Sequence, residues 1–147
     1  MRKFTLILIG LFSLSFAFGQ LNAGDIAFVQ YNADNTDNFA FVALVNIPAN
    51  EVIKFTDNEE YDLSLAEGTI TWTAPAGGIS CGTVVEITTA PAVSAGHGSV
   101  TEINDFNLSG NGDGIIAYQG TPASPTFITA LGNDGSSSGT YNLPSGL

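Results

Sequence analysis

After residue 24 the chain is built from short apolar runs broken by Gly, Asn, Asp and Pro, with polar residues alternating inside many of them. Alternation with period two marks strands, and turn residues at this spacing mark an all-β sandwich or barrel. Residues 25–31 (DIAFVQY) and 39–47 (FAFVALVNI) are apolar on both faces and are expected to be central strands. In residues 51–57, Ile53 and Phe55 face one way and Lys54 and Thr56 the other. Residues 69–74 put Ile70, Trp72 and Ala74 inward and three threonines outward, as in a half-exposed strand. Residues 83–88, 103–108, 115–118 and 127–131 complete eight strands. The sixth places Ile103, Asp105 and Asn107 on one face and Phe106 and Leu108 on the other.

The expected fold is therefore an antiparallel β-sandwich of about eight strands. Its core is expected to hold Phe41, Val45, Ile53, Phe55, Ile70, Trp72, Val85, Ile87, Ile115 and Ala117. Only residues 61–67 offer a helix, too short to change the class. Residues 109–114 (SGNGDG) read as a turn and 90–98 as a loop of small residues.

Residues 1–19 follow another pattern: Arg2 and Lys3, then an almost wholly apolar run, then Ala17-Phe18-Gly19. This is the layout of a signal peptide cleaved before Gln20. The run is about fifteen residues, short of the roughly 20 that span a bilayer, and no membrane insertion is expected after cleavage. The only cysteine is Cys81, so the cleavage site carries none for a lipid anchor. A secreted or cell-surface location follows. Residues 20–131 are expected to form the sandwich and 132–147 a loop-like segment, with the chain the N-terminal piece of a longer protein.

Export changes the charge balance. The chain has 3 Lys and Arg against 14 Asp and Glu, and Arg2 and Lys3 belong to the leader, leaving Lys54 as the one base. Such a surface repels phosphate, which excludes nucleic acid and anionic lipid as partners. It attracts cations, and calcium is the hard extracellular dication that prefers carboxylate and carbonyl oxygen. The apolar and aromatic content, 44% and 10%, is too high for a disordered acidic tail.

The acids do not form an EF-hand. Counted from Asp34, loop positions six and twelve hold Phe39 and Val45; counted from Asp105, position twelve is Ile116. Topology is more informative, because alternate loops of an antiparallel sandwich emerge at the same end. With eight strands, the loops at 32–38, 58–68, 90–102 and 120–126 share an end, and 109–113 lies at the other. Asp34, Asp37, Asp57, Glu59, Glu60, Asp62, Glu67 and Glu102 then converge, and a calcium site of Asp34, Asp37, Asp57 and Glu59 is expected.

Catalytic signals are sparse. His97 stands alone between glycines, Cys81 has no charged neighbour within four residues to activate it, and no glycine-rich phosphate loop precedes a helix. Cys81 reads as a small buried apolar residue. Trp72, Phe28, Phe39, Phe41, Phe55 and Tyr118 read as core, and Tyr31, Tyr61 and Tyr141 as candidates for exposed stacking on a glycan.

Gly24-Asp25-Ile26-Ala27, Phe55-Thr56-Asp57-Asn58 and Ala117-Tyr118-Gln119-Gly120 carry a resemblance over nearly all of residues 24–147. The chain resembles an N-terminal β-sandwich module of large exported bacterial surface proteins of the type IX-secreting kind and, in outline, lamin-tail-like domains. The resemblance implies a non-catalytic structural or binding module, with neighbouring domains, extracellular glycan or matrix as its partners. The alternative expectation is an accessory domain of a secreted hydrolase whose catalytic part lies beyond residue 147.

Overall fold

The computed structural model describes residues 19–34, 36–58, 67–110, 112–133 and 147. It is all-β: two antiparallel sheets pack face to face, and no helix occurs among the described residues. The strands are β1 (Ile26–Asn32), β2 (Asn38–Ala43), β3 (Val52–Thr56), β4 (Thr69–Thr73), β5 (Val84–Thr88), β6 (Ser94–Ala95), β7 (Ser99–Ile103), β8 (Asp113–Thr121) and β9 (Ser124–Asn133). One sheet has the order β1-β2-β5-β6 and the other β7-β4-β3-β8-β9.

Alternation sets the core. From β3 and β4 come Ile53, Phe55, Ile70 and Trp72, from β2 and β5 Phe39, Phe41, Val85 and Ile87, and from β8 Ile115 and Ala117, all buried. Phe41 meets Trp72 edge-on at 5.2 Å between ring centres, and Phe39 lies 5.0 Å from Phe55, so aromatic rings from both sheets interlock. Of the expected core, Val45 alone is only partly buried, because β2 ends at Ala43 and the chain then turns.

Several boundaries differ from the sequence expectation. β1 is an edge strand, although apolar on both faces; β9 of the other sheet lies beside it, and the Gly24 N–H donates to the Ile128 carbonyl at 2.8 Å. Residues 104–108 are not a strand. Asn104 and Asp105 have φ of 63° and 57°, left-handed values that end β7 at Ile103. Phe106 and Leu108 still bury their side chains, as plugs hanging from a loop. Cys81 is exposed, with Sγ 3.1 Å from the Leu44 carbonyl, because it sits in the turn before β5. The candidate helix at 61–67 falls almost wholly outside the described residues.

The most consequential difference lies in 90–103. Where a loop was expected, β6 runs down beside β5 (Thr88 opposite Ser94), and β7 climbs back beside β4 (Ser99 opposite Thr73, Ile103 opposite Thr69). This extra crossing reverses the end at which every later loop emerges. Residues 104–112 therefore join 33–37 and the start of the 57–68 connection, and the β8–β9 turn goes to the opposite end.

Candidate functional site

At that shared end lies a cavity of about 470 Å³ lined by Asp57, Glu67, Asn104, Asp105, Asn107 and Asp113, with Gly68, Ser109 and Gly112 between them. Asp57 directly follows β3 and Asp113 opens β8, and these two strands pair side by side, Thr56 opposite Ile116. Their carboxylates are thus held at the rim of one sheet by neighbouring ladders. Gly68, at the mouth of β4, lies so close to the backbone of Phe106 that a Cβ there would overlap its Cα. The 104–112 loop is pressed onto the strand ends at this point.

Carboxylates fasten the loop from both sides. Asp57 Oδ2 accepts the Asn107 N–H at 2.8 Å, Glu102 Oε1 accepts the Phe106 N–H at 2.7 Å, and Asp113 Oδ2 accepts the Ser109 N–H at 2.7 Å. Asp113 Oδ1 takes the Gly114 N–H at 2.7 Å. From the other sheet, the Tyr31 hydroxyl donates to the Ser109 carbonyl at 2.7 Å. This contact gives Tyr31 a loop-tethering role in place of open stacking.

The electrostatics are unbalanced. Asp57 and Asp113 are 6% exposed, and Oδ1 of Asp57 has no hydrogen-bond partner. Burial pushes the Asp113 carboxyl up to about 6; the Gly114 and Ser109 amides oppose this, while the charges of Asp57 and Glu67 add to it. Burial also raises Asp57, against the backbone amides of Asn107, Asp57 and Gly68, with Glu102 adding repulsion. The one lysine or arginine after residue 3 is elsewhere: Lys54 Nζ donates to the Gly120 carbonyl at 2.7 Å near the far end and lies 5.9 Å from the Tyr118 ring centre.

Of the acids expected to bind calcium, Asp57 is the one among the described residues that lines the cavity. Asp34 is exposed and Asp37 is buried on the β1–β2 loop, where the Asp37 carbonyl accepts the Thr89 N–H at 2.8 Å. Glu59 lies outside the described residues, as do Glu60, Asp62, Tyr61 and Tyr141. Among the described residues no three His, Cys, Asp or Glu side chains stand close enough to ligate one ion directly. Asp105 and Asp113 belong to the site, although the eight-strand reading sent residues 109–113 to the other end and left Asp105 within a strand. The signal that finds them is the Gly-Asn-Gly-Asp-Gly run closing onto the start of β8, once the extra crossing is counted.

His97 is a structural partner through its backbone: its carbonyl accepts the Trp72 Nε1–H at 2.7 Å.

Fold and cavity together define an antiparallel sandwich with an acidic, loop-walled recess at one end. Comparison with protein-family models, with curated proteins and with solved structures finds no match.

Proposed function

We propose that residues 20–147 act as a non-catalytic structural or binding module of an exported bacterial protein, working by contact with a neighbouring domain or with extracellular glycan or matrix. The observation that supports this reading is the use made of the acids. Asp57, Glu102 and Asp113 each commit a carboxylate oxygen to a backbone amide of the loop they border. Such groups position a loop, whereas an acid-base pair needs its reactive oxygens turned to a substrate proton. An apolar strip on the four-stranded sheet offers a contact surface: Val42 pairs with the exposed Val84, and Leu44 is exposed just beyond. Calcium stabilisation belongs to the same proposal, since no basic side chain among the described residues lines the acidic recess.

The test is a turnover screen of the purified protein against esterase, phosphatase, glycosidase and peptidase substrates. No turnover is expected. Turnover that disappears in Asp57→Asn or Asp113→Asn would make the recess an active site and overturn the reading.

A further inference from the structure

We propose that Asn107 is a glycosylation site, taking an oligosaccharide on its side-chain nitrogen during export. The inference rests on the export part of the functional reading and is independent of calcium and of turnover. Asn107-Leu108-Ser109 is the one place in the chain where an asparagine is followed, across a residue other than proline, by serine or threonine. That triplet is the acceptor pattern for N-linked sugar in exported proteins, and it belongs on a surface loop. A three-residue motif is weak by itself; the fold makes it specific.

Phe106 and Leu108 turn into the core, and Asn107 between them is exposed. The loop backbone is fixed at this point, because Asp57 accepts the Asn107 N–H and Glu102 and Asp113 hold the amides of Phe106 and Ser109. The Asn107 carboxamide, by contrast, enters no hydrogen bond among the described residues. Side-chain amides elsewhere are engaged in structure: Asn32 donates to the Thr36 carbonyl, Asn46 accepts the Cys81 N–H and Asn58 accepts the Glu67 N–H. A sugar on Nδ2 of Asn107 therefore displaces no contact. It projects into solvent from the mouth of the recess that Asn107 lines, as a bulky hydrophilic cover over the acidic end. In the transfer, Nδ2 bonds to the anomeric carbon of an oligosaccharide carried on a polyprenyl pyrophosphate. The bond from that carbon to the pyrophosphate oxygen breaks, the pyrophosphate leaves with the electron pair, and Nδ2 gives up one of its two protons. Nothing is oxidised or reduced.

Mass spectrometry of peptides from the protein as exported by its own organism tests the site. The peptide containing Asn107 is expected to carry hexose or N-acetylhexosamine increments, lost in Asn107→Gln and in Ser109→Ala and kept in Ser109→Thr. Ser109→Ala leaves the acceptor amide in place and removes only the hydroxyl that marks it. A bare Asn107 in the unaltered protein would overturn the inference, as would increments that survive Asn107→Gln. The unaltered protein decides on its own if a variant fails to fold. The same spectra give the first residue: a chain beginning at Gln20 with a bare Asn107 leaves export standing, whereas one that retains Arg2 and Lys3 with a bare Asn107 removes both.

Discussion

Trp72 Nε1–H donates to the carbonyl of His97 at 2.7 Å, joining β4 to the turn in which the chain crosses from one sheet to the other. The indole is wholly buried and stacks edge-on against Phe41. One side chain therefore fills the core and fixes the extra crossing that brings 104–112 to the acidic end. Trp72→Ala is expected to cost about 3–5 kcal/mol, a large share of a domain's stability. Trp72→Phe keeps much of the volume and loses the hydrogen bond, leaving the His97 carbonyl to water. Urea denaturation of both variants checks this: an alanine variant as stable as the parent would put the indole outside the core.

The neighbouring Gly98 sharpens the same test. Its φ is 81°, and a Cβ there would overlap the Thr73 carbonyl and press on the indole nitrogen. Gly98→Ala is expected to destabilise by about 1–3 kcal/mol through backbone strain and crowding. Its melting temperature checks the geometry of the crossing, and an unchanged value would mean that the turn relaxes freely.

Sheet class and core were legible because burial and alternation leave the same mark on a sequence: Ile53, Phe55, Ile70, Trp72, Val85 and Ile87 sit where period two puts them. The acidic end was legible only in part. Asp57 was found because it ends a clear strand. Asp105 and Asp113 were missed because β6 is two residues long and β7, Ser99–Ile103, has only two apolar residues, Val100 and Ile103, the latter exposed; neither strand announces itself by hydrophobicity. β1 was misjudged as central because the sequence does not distinguish a strand covered by a neighbour in its own sheet from one covered by the partner sheet.

The recess predicts an inverted acid response. Asp113 holds its proton more tightly folded, at about 6, than at the ordinary carboxylate value of 3.8. Its contribution to stability is therefore complete below about 3.8 and is lost as pH rises through about 6; Asp57 is shifted in the same direction. Cation-free protein should melt at a higher temperature at pH 5 than at pH 7. Asp113→Asn should flatten that rise, which separates the recess from the general relief of negative charge. Scanning calorimetry in a chelator at both values checks it, and a parent that melts lower at pH 5 would mean that Asp113 is well solvated.

At the opposite margin of the fold, the N-terminal segment is a clasp. Leu21 is buried at 4% exposure, its N–H donates to Gln119 Oε1 at 2.7 Å, and Gln119 in turn donates to Glu51 and to the Val52 carbonyl. Gln20 reaches the Thr126 hydroxyl, and Asp25 Oδ2 closes a turn on the Asn22 N–H at 2.7 Å. Cleavage before Gln20 would keep every one of these contacts, and removal of two more residues would empty the Leu21 site and strand Gln119. Mass spectrometry of the exported protein is therefore expected to give Gln20 as the first residue, and Leu21→Ala to cost about 2–4 kcal/mol. A mature chain beginning at Asn22 or later, with unchanged stability, would show that the clasp contributes nothing. A chain retaining Arg2 and Lys3 would remove the ground for export.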